Sequence, residues 1–156
     1  MKIDNKIQDN AQSLQAVVSV SVTDLRIGNL IHYNGNNKSV GKISLLVSDL
    51  IGALDYCQLD YRRNKKHWLI NLDPIPITEE WLLNFGFVKY GKFHDSYKLN
   101  PFIVELGILG NHYTFRKIMN EAESILLKEM KYVHELQNIY KELKGSELQE
   151  VSLTEH

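Results

Sequence analysis

Alternating apolar and polar residues predict the first strands of the chain. Valine and serine alternate strictly from Val18 to Val22, which is the period of a half-buried strand. A short strand is predicted over Leu30 to Tyr33 and its return over Ser39 to Leu46, because the Asn34-Gly35 pair between them is a strong hairpin turn. Gly41 within the return strand is a position for a bulge or a bend.

The next segment is less regular. Residues 49–59 fit a helical turn or an irregular crossover, and the pattern leaves both open. A further strand is predicted over Trp68 to Leu72. Short strands joined by tight turns in this order are typical of an SH3-like small barrel, so a barrel-like unit is predicted over residues 18–73.

Two prolines interrupt the chain in the segment Asp-Pro-Ile-Pro at residues 73–76. Each proline removes a backbone donor and restricts the residue before it, so we predict the boundary between two subdomains here. Thr78 then caps a short helix over Glu79 to Asn84, whose first-turn carboxylates favour the helix dipole, and Gly86 ends it. The side chains predicted to point inward are Trp81, Leu82 and Phe85.

A run of short strands separated by turn residues follows this helix. They are predicted over Phe87 to Tyr90, His94 to Leu99, Phe102 to Leu106 and His112 to Lys117. Ser124 to Leu127 is either one more strand or the lead into the last helix. Since short strands joined by tight turns pair with their neighbours, the sequence predicts an antiparallel meander.

The last helix is the clearest element in the pattern. Over Lys131 to Lys144 the apolar positions recur every three or four residues, and Gly145 follows as a stop. The predicted stripe consists of Val133, Leu136, Ile139, Tyr140 and Leu143. Because one face of a meander needs cover, we expect this helix to pack on it.

These elements predict an α+β fold, in which a small N-terminal SH3-like β-barrel unit precedes an antiparallel β-meander packed by a C-terminal helix. The predicted units are a flexible arm at residues 1–17, the barrel-like unit at 18–73, the meander with its helix at 74–148 and a tail at 149–156. The arm is rich in amide side chains and has only scattered aliphatic residues, which is typical of disordered segments.

Composition and charge argue against a protein that is rich in disulfides, secreted or strongly charged. The 156 residues are 44% hydrophobic and 24% charged, near the average for globular domains, and the formal net charge is -1. A protein with this net charge does not as a whole attract DNA or an anionic membrane. Binding of either would need a local patch of positive charge. The lone Cys57 allows no intrachain disulfide, and the first residues lack the apolar stretch of a signal peptide. We therefore expect a cytoplasmic protein that does not enter a membrane.

Three segments carry a family resemblance: DPIPITEEWLLNFGF at residues 73–87, the meander after it, and KYVHELQNIYKELKGSEL at residues 131–148. Together they resemble a family of small uncharacterised proteins encoded by phages, prophages and mobile elements of gut bacteria. In that family an opening of the RIG type, here Arg26-Ile27-Gly28, precedes motifs of the types PIPLTEEWL-KFGF and YVHQLQNLY-LTG. The resemblance covers roughly residues 24–148 and implies a genomic setting, not an activity. Residues 118–127 depart from the pattern and look like an insertion.

No motif in the sequence sets a nucleophile beside a base or several ligands around one metal. The six histidines lack the short spacing of a metal site on one element, and they are His32, His67, His94, His112, His134 and His156. Cys57 matches no nucleophile motif and is interpreted as half-buried and structural. Glu79 and Glu80 diverge by about 100° around a helix axis, so helix initiation explains them better than acid–base catalysis. The sequence therefore predicts no enzyme, no metal and no cofactor.

One cluster of positive charge offers a candidate nucleic-acid interface. Cationic side chains can pair with phosphates while an aromatic ring stacks on a base, as in proteins that bind single strands or RNA. The candidate residues are Tyr61, Arg62, Arg63, Lys65, Lys66 and Trp68. A loop with four charges is more commonly a solvated hairpin tip, and the rest of the chain carries an excess of acid.

The leading hypothesis is a non-enzymatic accessory protein of a phage or mobile element that binds a host or phage protein. It is favoured by aromatic residues beyond those that one small sheet face needs, namely Tyr90, Phe93, Tyr97, Phe102, Tyr113 and Phe115. The first alternative is a nucleic-acid-binding module that uses the basic loop at Arg62 to Lys66. The second is a protein that sequesters a small nucleotide ligand, on which the sequence is silent.

A salt titration separates the first two hypotheses. If the four cations of the basic loop contact phosphates, binding of a labelled single strand should weaken with a log–log salt slope of about -3, from roughly 0.7 counterions per phosphate. In fluorescence anisotropy, changing Arg62 and Arg63 to Ala should then flatten this slope by on the order of one to two units. We expect only weak, sequence-independent binding that disappears near physiological salt. Tight binding that survives there and depends on Tyr61 or Trp68 would put nucleic acid first.

Overall fold

The computed structural model describes residues 24–33, 39–48, 54–59, 66–68, 72–91, 95–107, 110, 112–120 and 122–151, and for 45, 47, 48, 54–56 and 66–68 it describes the backbone alone. The arm predicted at residues 1–17, the strand predicted at 18–22 and the turn predicted at residues 34–35 lie outside the described residues. Within them the chain forms two antiparallel sheets and two helices. The predicted α+β fold class is therefore confirmed.

The first sheet is formed by the N-terminal half of the chain. Its strands are β1 (Leu30–Tyr33), β2 (Ser39–Ser48), β3 (Leu54–Leu59), β4 (Lys66–Trp68) and β5 (Leu72–Asp73). They are hydrogen-bonded in the order β4-β3-β2-β1-β5, and each pair is antiparallel. Because β5 returns to pair with β1, the last strand of this sheet lies beside its first.

The second sheet is the predicted antiparallel meander. It is preceded by the helix α1 (Glu79–Asn84) and followed by the helix α2 (Val133–Lys144). Its strands are β6 (Val88–Lys89), β7 (Ser96–Leu99), β8 (Phe102–Leu106), β9 (Tyr113–Ile118) and β10 (Ser124–Met130). Each strand pairs with the next one along the chain, so the order of the sheet follows the order of the sequence.

The first helix follows its prediction closely. The hydroxyl of Thr78 accepts a hydrogen bond from the amide of Trp81 at 3.4 Å, as an N-cap should. Leu82 and Phe85 are buried, and Trp81 packs half-buried against the same core. Gly86 follows the end of the helix with φ of 81°.

Two predictions about the first sheet need correction. Residues 54–59 form the strand β3 instead of a helical turn or a crossover, because its alternate residues Cys57 and Leu59 enter the core. The single strand predicted over Trp68 to Leu72 is wrong, because Trp68 belongs to β4 and Leu72 to β5, which lie at opposite ends of the sheet; residues 69–71 lie outside the described residues.

Gly41 acts by its lack of a side chain. The register of β2 against β3 shifts after Ile43 and after Val47, not at Gly41. A Cβ at Gly41 would lie 3.0 Å from the side chain of Leu59, so glycine permits the close approach of β2 and β3. Of the bulge or bend predicted at Gly41, the bulge is not found in the pairing of β1 with β2, which is regular across this residue.

Two hydrophobic clusters form the core. The smaller lies in the first sheet and consists of Leu25, Ile31, Ile43, Cys57, Leu59 and Leu72. The larger lies between the meander and the two helices, and its fully buried members include Ile75, Leu82, Phe87, Val104, Phe115, Val133 and Leu136. Leu30 of β1 belongs to the larger cluster, so the first sheet contributes to both.

The helix α2 covers the meander, as predicted. The residues of its apolar stripe that are buried or half-buried in the larger cluster are Val133, Leu136, Ile139 and Tyr140. Leu143 is exposed, contrary to the prediction. Tyr140, three residues before it, contacts the ring of Phe102 edge-on, with ring centroids 5.8 Å apart.

The helix begins two residues later than predicted because its lead-in pairs with the proline segment. The amide of Ile77 donates to the carbonyl of Lys131 at 2.8 Å, and the amide of Val133 donates to the carbonyl of Ile75 at 2.8 Å. Extended backbone at residues 131 and 132 is required for this pairing. The proline segment therefore both ends the first sheet and aligns the start of α2.

Polar side chains of α2 join it to the first sheet. The Oε1 atom of Gln137 accepts a hydrogen bond from the amide of Leu30 at 2.9 Å, and its Nε2 donates to the carbonyl of Gly28 at 3.4 Å. The neighbouring Asn138 accepts a hydrogen bond from the side chain of Asn29 at 2.9 Å. Gln137 is 2% exposed, so its bonds are shielded from water.

An ion-pair network lies next to these amides. Arg26 Nη1 lies 2.8 Å from the carboxylate of Glu147, and its Nη2 donates to the carbonyl of Gln137 at 2.8 Å. Lys141 pairs with the same carboxylate at 2.6 Å. Burial alone would raise the pKa of Glu147, but hydrogen bonds from Lys141 and Arg26 lower it below its usual value. Glu147 is therefore an ionised anchor between α2 and the segment before β1.

The segments that carry the family resemblance are in contact around α2, which belongs to one of them, residues 131–148. The opening at residues 26–28 hydrogen-bonds to the helix, residues 75–77 pair with its start, and the meander forms the surface beneath it. The departure at residues 118–127 coincides with the end of β9, the following turn and the first half of β10.

The substitution Leu136→Ala tests whether this packing stabilises the monomer. Leu136 is fully buried at the centre of the larger cluster, so we expect a loss of about 2 to 5 kcal/mol in the free energy of unfolding, from lost burial and a residual cavity. Urea denaturation followed by circular dichroism measures this change. A change near zero would mean that the stripe is exposed in the monomer and that the packing described here is wrong.

Candidate functional site

One face of the meander carries side chains that belong to neither hydrophobic cluster. Residues directly opposite each other on paired strands project on the same face, so the register aligns one residue from each strand in a row. From β6 to β10 this row is Val88, Lys98, Ile103, Arg116 and Leu126. The other face carries Tyr97, Val104 and Phe115, which are buried in the larger cluster. We call the face with the row the outer face.

The outer face is apolar at its two ends. Val88 on β6 is 62% exposed and Leu126 on β10 is 47% exposed, whereas Ile103 at the centre is 7% exposed. Beside the row, the ammonium group of Lys98 lies 4.9 Å from the centroid of the exposed Tyr90 ring, a cation–π distance. Large apolar and aromatic side chains are therefore accessible at the two ends of this face, whereas its centre is buried.

Arg116 is held in a fixed orientation near the centre of this face. Its Nε donates to the hydroxyl of Ser124 at 3.0 Å, and its Nη2 donates to the carbonyl of Ser124 at 3.2 Å. The carboxylate of Glu105 lies 3.9 Å from its Nε. A guanidinium restrained in this way loses little rotamer entropy when a partner binds.

A concavity of about 490 Å³ lies on the outer face, next to the β9–β10 turn. Its volume is within the range of small-molecule sites, and its walls combine apolar, aromatic and charged side chains. The lining residues include Tyr90, Lys98, Ile103, Ile118, Asn120 and Ser124.

Most of the basic loop predicted to bind nucleic acid lies outside the described residues. Residues 60–65, which contain Tyr61, Arg62, Arg63 and Lys65, lie outside the described residues. Lys66 and Trp68 are in β4, where the backbone alone is described. The loop connects β3 to β4, two adjacent antiparallel strands of the first sheet. The nucleic-acid-binding residues therefore stay a prediction from the sequence.

Cys57 is a core residue. It is fully buried in the smaller cluster, not half-buried as predicted, because β3 lies inside the sheet between β2 and β4. Burial raises the pKa of its thiol to about 11, so the neutral form dominates near pH 7. A protonated and inaccessible thiol is unsuited to nucleophilic attack.

The buried titratable groups have structural surroundings. Burial lowers the pKa of His134 in α2 and of His32 in β1, so both imidazoles are neutral near pH 7. Burial, followed by the charge and hydrogen bond of Glu79, raises the pKa of Tyr97 to about 12. Glu79 also faces Lys89 at 3.5 Å, so helix initiation and surface pairing explain this carboxylate. In the part of the chain that the structure describes, no three acidic, histidine or cysteine side chains converge as metal ligands.

The aromatic residues singled out from the sequence divide between core and surface. Tyr97, Phe102 and Phe115 are buried, and Phe102 stacks on Phe115 with ring centroids 4.9 Å apart. Tyr113 is half-buried, and Phe93 lies outside the described residues. Tyr90 is exposed on the outer face and is the member of this set that fits the predicted protein-binding surface.

Sequence reasoning missed the row across the outer face. Alternation within a strand separates its two faces, but it does not indicate which face the helix covers when both carry apolar residues. A usable signal was the charge of Lys98 and Arg116 within otherwise apolar strands, since charged residues are rarely buried without a partner. Their two strands are separated by β8, so only the register aligns them in one row.

Comparisons of the chain with family models, curated proteins and solved structures give no match. Among the described residues, no helix combines the length and the apolar character needed to cross a bilayer. The function of the outer face is therefore inferred from the residues that form it.

Proposed function

We propose that this is a non-enzymatic accessory protein of a phage or mobile element that acts in the cytoplasm by binding a host or phage protein. The proposed contact surface is the outer face of the meander. The observation that carries the proposal is the row from Val88 to Leu126, which leaves apolar side chains exposed at both edges of one sheet face. Large apolar side chains that are exposed on one face of a sheet support its assignment as an interaction surface.

The residue types on this face favour a protein partner. Tyrosine and arginine are enriched in protein interfaces, and the outer face contains one of each, Tyr90 and Arg116. Glu105 and Glu123 lie on or beside the same face, and their negative charges would repel a phosphate backbone. This combination of residues favours a protein with a surface of mixed charge as the partner, and it disfavours a polyanion.

Two finer features belong to the same proposal. The phage or mobile-element setting rests on the family resemblance of residues 24–148. The SH3-like closure of the first sheet is supported by the pairing of β5 with β1, which returns the chain to its first strand as a small barrel requires.

A small-ligand function is the second candidate. It is favoured by the concavity of about 490 Å³, where Lys98 and Tyr90 could contact the phosphate and the base of a nucleotide. Isothermal titration with nucleoside mono-, di- and triphosphates distinguishes this candidate, because Lys98→Ala would then abolish the binding heat.

A matched pair of substitutions tests the protein-binding function. Val88→Glu adds a charge at the exposed edge of the outer face, and Val40→Glu makes the same change at an exposed valine of the first sheet, which is 42% exposed. The tagged wild-type protein is used to recover partners from infected and uninfected host cells. For a partner held by the outer face, we expect Val88→Glu to reduce recovery by about tenfold or more, the loss of roughly 1.4 kcal/mol at a hot-spot contact. We expect Val40→Glu to leave recovery unchanged.

Two results would contradict the proposal. One is equal recovery of the same partner by wild type and Val88→Glu, with both folded by circular dichroism. The other concerns the thiol: a folded Cys57→Ser variant that loses its biological effect while it retains the partner would indicate chemistry at Cys57 and an enzyme. The buried position of this thiol predicts that Cys57→Ser retains both.

A further inference from the structure

The outer face carries a second row of side chains beside the row that contains Lys98 and Arg116. The register of β7 to β10 sets four polar residues directly opposite one another, namely Ser96, Glu105, Thr114 and Glu129. Alternate residues of a strand project on the same face, so Thr114 lies on the same side as Arg116, and the residues opposite Thr114 share the outer face. We call the row from Val88 to Leu126 the basic row and the row from Ser96 to Glu129 the acidic row.

The charges of these two rows are only partly matched within one copy of the chain. The carboxylate of Glu105 lies 3.9 Å from the Nε atom of Arg116. Lys98 contacts the ring of Tyr90, and in the part of the chain that the structure describes neither Lys98 nor Glu129 forms an ion pair. A surface complementary to the outer face therefore has the same two rows in exchanged positions.

A second copy of the same face meets this requirement when it is turned about the right axis. Identical chains associate most often about a two-fold axis. An axis along the strands would set each basic row on the basic row of the other copy, and like charges would repel. An axis across the strands sets each basic row on an acidic row. We propose that two copies of the chain pack through their outer faces about a two-fold axis that runs across the strands.

In this arrangement each strand lies over its own counterpart. Glu105 is on the central strand β8, with Lys98 on β7 and Arg116 on β9. The carboxylate of Glu105 in one copy is therefore set between Lys98 and Arg116 of the other copy. Adjacent strands are about 4.8 Å apart, so both long cationic side chains can reach that carboxylate. The two-fold axis repeats the contact, and each dimer contains it twice.

The same axis covers apolar surface at the β6 end of the face. The amide of Tyr90 donates to the carbonyl of Ser96 at 2.7 Å, which aligns Tyr90 with the acidic row. Val88 is in the basic row of the same strand end, so Val88 of one copy is set opposite Tyr90 of the other. These side chains are 62% and 45% exposed, and the dimer would remove both from water.

The size of the outer face indicates a weak dimer. It is five strands wide, about 24 Å, and the strands β8 to β10 are five to seven residues long, about 17 to 24 Å. Each copy would therefore bury roughly 500 Å² and the pair roughly 1,000 Å², which is the size of transient complexes. A protein partner on this face would displace the second copy, and only this competition rests on the proposed function.

Analytical ultracentrifugation of the purified full chain tests the dimer without any partner. The concentration is varied from about 10 μM to about 1 mM, the range suited to an interface of this size. We expect a reversible equilibrium between monomer and dimer. Lys98→Glu and Glu105→Lys should each raise the dissociation constant at least about tenfold, because each change sets like charges together twice. The control Lys144→Glu makes the same charge change at an exposed residue of α2 and should leave the constant unchanged.

A mixture of the two variants identifies the arrangement of the rows. In a dimer of one Lys98→Glu chain and one Glu105→Lys chain, one half of the interface contains the two exchanged charges and the other half is wild type. Both halves then join opposite charges. We expect the equimolar mixture to associate within about threefold of the wild-type constant, although each variant alone is mainly monomeric.

Three results would overturn the proposal, with every variant folded by circular dichroism. The first is a wild-type monomer over the whole concentration range. The second is a dimer that neither charge reversal weakens, which would place the contact on another surface. The third is a mixture that associates no better than the separate variants, which would show that the two rows do not face each other. Recovery of a partner from host cells is measured separately, so the dimer and the proposed function can fail independently.

Discussion

The buried amide of Gln137 is the interaction on which the arrangement of the two sheets depends. Its oxygen and nitrogen bind the backbone of Leu30 and Gly28, on either side of Asn29. Leaving such buried groups unpaired costs about 1 to 3 kcal/mol, so any shift of α2 relative to β1 is penalised. Gly28 adopts φ of 97°, a conformation that other residues rarely take, and this turns its carbonyl toward the helix. Gln137 therefore holds the first sheet against α2, and the apolar stripe of α2 packs on the meander.

The same helix leaves the outer face of the meander available. Its apolar stripe is used on the inner face of the meander, and its amides and Lys141 are used on the first sheet and on Glu147. The outer face retains exposed apolar side chains at both edges and a fixed guanidinium near its centre. This surface is the one that we propose as the contact site for a partner.

Local sequence patterns predicted the helices and strands, but they did not predict contacts between residues that are far apart in the sequence. The period of α2, the cap at Thr78 and the turn-separated strands of the meander depend on residues close in sequence, so they were predicted within one or two residues. The start of α2 was wrong because Ile75 and Ile77 hold residues 131 and 132 in extended form. Gln137 is not part of the predicted apolar stripe of α2, and nothing near it in sequence indicates its hydrogen bond with Leu30. The outer face was missed for a similar reason, because register aligns residues that the sequence separates.

The most direct test of the account is amide hydrogen exchange in a Gln137→Ala variant of the full chain. The side chain of Gln137 accepts a hydrogen bond from the amide of Leu30, whereas the strands β7 to β9 are held by their own ladder. We therefore predict that exchange in β1 and β2 rises by about tenfold or more, the equivalent of roughly 1.4 kcal/mol, while exchange in β8 stays as in the wild type. Equal acceleration in both sheets, or no change in β1, would contradict the claim that this amide joins them.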